Sequence, residues 1–129
     1  MRTTCWLLAA AALLAAIVSA HAQDAEAGEQ VFKKCKVCHQ IGEGAHNFVG
    51  PELNGVVGRK AGTVPGYNYS EANKNSGITW DEATLKEYLK NPQAKVPGTK
   101  MVFPGLPNEK DIDNVIAYLK QFGPDGKKK

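Results

Sequence analysis

The chain has 129 residues, 43% of them hydrophobic, and a net charge of +3 at pH 7, which accommodates one small globular domain. Without Arg2 the charge falls to +2, a value that predicts neither nucleic-acid nor membrane binding, so any partner steering must come from local clusters.

The first segment reads as a targeting signal rather than as part of the fold. Arg2 supplies a positive start, Trp6 to Val18 is apolar, and Ala20-His21-Ala22 is an A-x-A cleavage site. The apolar run is short for a membrane span. Residues 1–22 are therefore expected to be removed, leaving 23–129 as the domain, exported to the periplasm. Cys5 leaves with the signal, and the two remaining cysteines sit together in Cys35-Lys36-Val37-Cys38-His39.

Asp24 is placed to cap a first helix, with Glu26 and Glu29 suited to its opening turns. The helix is expected to run into the cysteine motif. Gly28 costs about 1 kcal/mol against Ala inside a helix, which leaves two readings: close approach of another helix, or simple tolerance. From Gln40 to Gly66 glycines and prolines recur without a sustained period. That is loop chemistry, and a loop so long in a compact domain suggests a backbone wrapped round a bulky group. Val49, Leu53, Val56 and Val57 are its expected wall.

Ser70 can cap a short helix over 71–76, stopped by Gly77. Thr79 and Glu82 fit a capping box opening a helix from Trp80 to Lys90, with Leu85, Tyr88 and Leu89 on one face. Asn91-Pro92 should end it. Asn108 can cap the last helix, whose stripe is Ile112, Val115, Ile116, Leu119 and Phe122, with Gly123-Pro124 as the stop. The three terminal lysines read as a solvated tail. No period-two strand stands out, so the expected fold is all-α with long loops.

Cys35-x-x-Cys38-His39 is the attachment signature of a c-type haem. Each thiol can add across one vinyl group, and two cysteines three apart on a helical turn lie near one face. The following imidazole is then placed to reach the iron. Two other chemistries use such a pair. A zinc site from Cys35, Cys38, His39 and His46 suffers from two adjacent ligands and lacks a second C-x-x-C. A thioredoxin-like redox pair needs a βαβ context, which the pattern does not offer.

A haem iron held by His39 leaves one axial position. After the signal only His39, His46 and Met101 remain of their kinds, and His46 lies close behind the first ligand in a Gly-flanked loop. Met101 stands 62 residues after His39 in a segment pinned by Pro and Gly. It is the candidate second ligand, although a lone methionine is ordinarily core filler. A thioether opposite an imidazole raises the potential relative to two histidines. With both positions filled, the iron suits one-electron transfer rather than substrate chemistry.

The chain resembles the class I c-type cytochromes, both the mitochondrial protein and its soluble bacterial relatives. The likeness rests on C-K-V-C-H at 35–39, G-P-E-L-N-G-V-V-G-R-K at 50–60 and P-G-Y-N-Y-S at 65–70. It continues through A-N-K-N-S-G-I-T-W at 72–80, N-P at 91–92 and P-G-T-K-M at 97–101.

The resemblance implies a three-helix cytochrome c fold round one covalently bound haem c, with Cys35 and Cys38 as thioethers and His39 and Met101 as axial ligands. By the same likeness the Pro51 carbonyl accepts the outer imidazole proton, which strengthens His39 as a donor. Arg59, Tyr69 and Trp80 match groups around a buried propionate, with Trp80 also fit for ordinary core. Asn73, Tyr88 and Thr99 match a polar pocket beside the methionine, and Phe103 an aromatic over the haem edge. Gly28, Phe32, Val115 and Tyr118 match a crossing of the first and last helices.

The implied activity is that of a soluble monomeric electron carrier, not an enzyme. Its donors would be a quinol-oxidising cytochrome complex or a dehydrogenase, and its acceptors a terminal oxidase or a photosynthetic reaction centre. The lysine ring of many relatives is only partly kept: Lys34 and Lys100 remain, with Lys33, Lys36 and Lys95 as additions, while Gln93, Pro107, Asn108 and Glu109 stand where bases are frequent. A less positive docking face follows.

Overall fold

The computed structural model describes residues 23–129, so the signal expected at 1–22 lies outside the described residues. Five helices follow one another: α1 (Ala25–Phe32), α2 (Glu71–Lys74), α3 (Glu82–Lys90), α4 (Pro92–Lys95) and α5 (Glu109–Lys120). Among the described residues there is no named strand, only isolated bridges at Lys60–Thr79 and Phe122–Lys128.

α1 starts where its cap predicts. The Asp24 carboxylate accepts from the amides of Glu26 at 3.0 Å and Ala27 at 3.1 Å. Regular helix ends at Phe32, but tight turns carry the chain on, with the Cys35 amide donating to Phe32 O at 2.8 Å and the His39 amide to Cys35 O at 2.9 Å. The haem motif therefore hangs from the end of α1 as a wound extension of it.

α1 crosses α5, and Gly28 makes the crossing close. A Cβ there would lie 1.9 Å from the Asn114 carbonyl oxygen and 2.9 Å from Tyr118 Cβ. Close approach is thus the reason for a helix glycine. Phe32 and Tyr118 pack with ring centroids 5.2 Å apart. The buried Asn114 side chain adds a bond the sequence did not suggest, accepting from the Asp24 amide at 3.0 Å. Val115 and Ile116 are at most 1% exposed, so the stripe of α5 is the centre of the core.

α3 lies against α5, tied at its rim by Lys86–Asp113 at 2.8 Å and Lys120–Glu82 at 2.7 Å. Its start differs from the expected capping box. Asp81 is the N-cap, accepting from the Thr84 amide at 2.8 Å, and the helix begins at Glu82. Trp80 is not helical, because Thr79 bridges to Lys60 and the Trp80 amide donates to Arg59 O at 2.9 Å. Pairing with a distant loop outweighs the local cap and drives the Trp80 ring inward.

Asn91-Pro92 ends α3 as expected and also opens α4, with the Asn91 side chain accepting from Ala94 N and Pro92 in the first turn. α2 is shorter than expected and stops at Lys74 under its Ser70 cap. The terminal lysines carry exposed side chains, yet their backbone is docked: the Gly123 amide donates to Lys127 O at 3.0 Å and the Lys129 amide to Gln121 O at 2.8 Å. The long loop after the motif is pinned by Asn54, whose amide side chain bonds both N and O of Gly42, at 2.8 and 2.9 Å.

Candidate functional site

The helices and the long loops enclose one large cavity of about 550 Å³. Phe32 of α1, Leu85 and Leu89 of α3, and Val115 and Leu119 of α5 form its apolar floor. All twelve residues singled out for the cofactor line it: Cys35, Cys38, His39, Pro51, Arg59, Tyr69, Asn73, Trp80, Tyr88, Thr99, Met101 and Phe103. Of the expected wall residues, Val49, Leu53 and Val56 line the cavity, whereas Val57 packs against the core instead. His46 is exposed and does not line it.

His39 is held by the loop that follows it. Its Nδ1 donates to Pro51 O at 2.7 Å, which leaves Nε2 unprotonated and able to bind a metal. Burial pushes the imidazole below its ordinary pKa, against the opposite pull of the Pro51 carbonyl, and the Arg59 charge adds to the lowering. Both effects on the lower side favour the neutral ring that a ligand requires. Gly50 completes the seat. A Cβ there would fall 2.3 Å from His39 Cε1, 2.7 Å from Nδ1 and 2.8 Å from Nε2. The sequence placed Gly50 only among loop glycines, and its role shows once the chain is folded.

Cys35 and Cys38 are free thiols, each partly buried. Burial, with help from Cys38, pushes the Cys35 thiol up to about 11. It therefore stays protonated near neutrality.

Tyr88 organises the methionine side. Its hydroxyl lies 3.1 Å from Thr99 Oγ1 and donates to Met101 Sδ at 3.4 Å. Burial raises its pKa, so the proton on this oxygen is kept at neutral pH. The Met101 amide is tied to Thr99 Oγ1 at 3.3 Å. Tyr88 packs its ring against that of Trp80, centroids 4.7 Å apart.

A second polar region of the lining holds Arg59 and Tyr69, whose charges act on each other. Arg59 Nη1 donates to Asn54 O at 3.0 Å, and the Tyr69 hydroxyl accepts from the Val64 amide at 3.0 Å, which leaves its own proton available. Asn73 Oδ1 is buried without a partner. Two residues were not foreseen here. Tyr67 lines the cavity, donates to Val49 O at 2.8 Å and stacks edge-on with Tyr69 at 4.8 Å. The i, i+2 aromatic pair was its only signal. Glu52 stands behind Arg59, 3.6 Å away.

The cavity fits a haem by its own chemistry. It offers two thiols, an imidazole with a free Nε2, a thioether, apolar walls, and a polar end with an unpartnered amide oxygen. The family model described as cytochrome c matches residues 25–123. The chain belongs to the cytochrome c family. It is 65% identical to cytochrome c2 of Rhodoplanes tepidamans over 107 residues, covering 83% of this chain and 100% of that one. Cytochrome c-554 of Methylosinus trichosporium is 58% identical over 132 residues, covering 100% of both chains. Among solved structures, cytochrome c2 from Rhodospirillum centenum superposes with a TM-score of 0.75 at 43% identity, over 78% of this chain and 99% of that one. This cytochrome c carries one covalently bound haem c with its iron and is an electron-transfer protein, not an enzyme.

The cavity mouth is apolar. Val37, Val49 and Val102 line it and are 71%, 61% and 100% exposed, and the neighbouring Phe48 is 60% exposed. Lys34 and Lys100 stand in the same lining, but Lys100 is engaged with Asn68 O and lies over the Tyr67 ring. Lys95, expected to add to a basic patch, pairs with Glu87 at 2.5 Å and is outside the lining. No helix among the described residues is long and apolar enough to cross a membrane.

Proposed function

We propose that the chain is a soluble, monomeric electron shuttle of the periplasm, exported by the signal at 1–22, with Cys35 and Cys38 as haem thioethers and His39 and Met101 as axial ligands. When bound, the haem iron supplies a ferric–ferrous couple. The observation that carries the reading is the pairing of each candidate ligand with its own hydrogen-bond partner across one cavity: His39 with Pro51 at 2.7 Å, Met101 with Tyr88 at 3.4 Å. A ligand held by a second bond keeps its geometry in both oxidation states, and little reorganisation is what fast electron transfer requires. Arg59, Tyr69 and Trp80 would hold the propionates, and Asn73, Thr99 and Phe103 would complete the pocket.

The exposed Val37, Val49 and Val102 of the cavity lining support short-lived docking of redox proteins. The donor would be a quinol-oxidising cytochrome complex or a dehydrogenase, and the acceptor a terminal oxidase or reaction centre. Potentiometric titration of the holoprotein and of Met101→Ala tests the ligand set. The wild type should give one reversible one-electron curve, and loss of the thioether should lower the potential. An unchanged potential in Met101→Ala would overturn it.

A further inference from the structure

We infer that Glu52 is a positioning residue that sets how much of the Arg59 charge reaches the haem cavity. Arg59 lines the cavity with a side chain only 17% exposed. A guanidinium so far out of water needs partners. Its carboxylate partner is Glu52, which stands outside the cavity lining, with its side chain 20% exposed and Oε1 3.6 Å from Arg59 Nη1.

The carboxylate is built into the loop by more than this pair. Glu52 Oε2 accepts from the Asn54 amide at 2.6 Å, and the Asn54 carbonyl accepts from Arg59 Nη1 at 3.0 Å. Carboxylate, peptide and guanidinium thus close a ring. The Glu52 amide in turn donates to Asn47 Oδ1 at 3.0 Å, which anchors the ring to the loop below. Asn47 Nδ2 donates to Pro65 O at 3.0 Å, so the anchor spans two loops.

Only one of the two Arg59 terminal nitrogens is taken by these contacts. The guanidinium has five N–H donors in a fixed fork. Held from behind at Nη1, it keeps donors for an anionic group inside the cavity while part of its charge is compensated from outside. Residue 52 therefore acts on the cofactor through residue 59. This rests on the haem reading above.

Two variants separate the roles. Glu52→Gln keeps an acceptor for the Asn54 amide but removes the charge. Glu52→Asp keeps the charge but withdraws it by one methylene, so that it no longer spans both partners. Each holoprotein is first checked for covalent haem by its pyridine haemochrome spectrum, then titrated potentiometrically. Glu52→Gln should favour the ferrous state at least threefold, about 28 mV at 59 mV per decade for one electron. Glu52→Asp should move the potential in the same direction by at least half as much. An unmoved potential in Glu52→Gln refutes any role for this charge. A wild-type potential in Glu52→Asp refutes positioning and leaves a direct field. A wild-type chain without covalent haem would instead refute the haem reading itself.

Discussion

Replacing Gly50 by alanine should loosen the His39 imidazole without substituting a candidate ligand. The added Cβ would meet His39 Cε1 at 2.3 Å, where 3.4 Å is an ordinary contact, so about 1.1 Å must be made up. All three nearest atoms belong to the ring, so the ring is what has to yield. Its bond from Nδ1 to Pro51 O is 2.7 Å long and cannot absorb a displacement of that size. Such a bond contributes about 0.5–1.5 kcal/mol. Losing it makes the imidazole a weaker donor to ferric iron, so the potential should rise, by at most about 60 mV if the ferric state alone feels the loss, at 59 mV per decade. Potentiometry on the purified variant, alongside its absorption spectrum, reads this directly. A Gly50→Ala protein with wild-type spectrum and potential would refute the assignment of Gly50 as the seat of the ring.

Other perturbations test the scaffold. Gly28→Ala gains about 1 kcal/mol in helix propensity but forces α1 off α5, where overpacking costs about 3 kcal/mol, so denaturant unfolding should show a net loss of about 2 kcal/mol; a stabilised variant would contradict the close crossing. Asp81 has its pKa held below 3.8, first by the Thr84 amide and then by the Thr84 side chain. Because the folded value is the lower one, its stabilisation is present above about pH 4 and lost as pH falls through the folded value. The stability gap between wild type and Asp81→Ala should therefore close in acid, and a gap that widens there would contradict the cap. Cys35→Ala combined with Cys38→Ala should leave a largely unfolded chain by circular dichroism, since a small domain with a cavity this size buries too little without its cofactor. Native-like helicity in that variant would contradict the dependence.

Much of the fold is legible where a local signal has no competitor. Asp24 and Asn108 cap their helices as read because each stands alone before an apolar stripe. Spacing singles out His39 and elimination singles out Met101 as candidate ligands, and the fold brings both to the lining of one cavity. Legibility fails where local and distant preferences compete. Thr79 and Asp81 are both good caps, and the bridge from Thr79 to Lys60 decides between them. Pro92 reads as a stop, yet a proline is equally suited to the first turn of a new helix, which is how it serves α4. Gly50 and Glu52 belong to a stretch with no period, so their use depends on what the fold brings beside them. The terminal lysines look free because charge hides the backbone bonds that dock them.

A closed iron held by His39 and Met101, as proposed, would relay single electrons and leave no position open to other ligands. The most direct measurement is absorption spectroscopy of the purified holoprotein at neutral pH, ferric and then ferrous under carbon monoxide. A weak sulfur–iron band in the red is expected for the ferric protein, with no binding of carbon monoxide by the ferrous one. A ferric spectrum without that band, or a ferrous protein that takes up carbon monoxide readily, would contradict it.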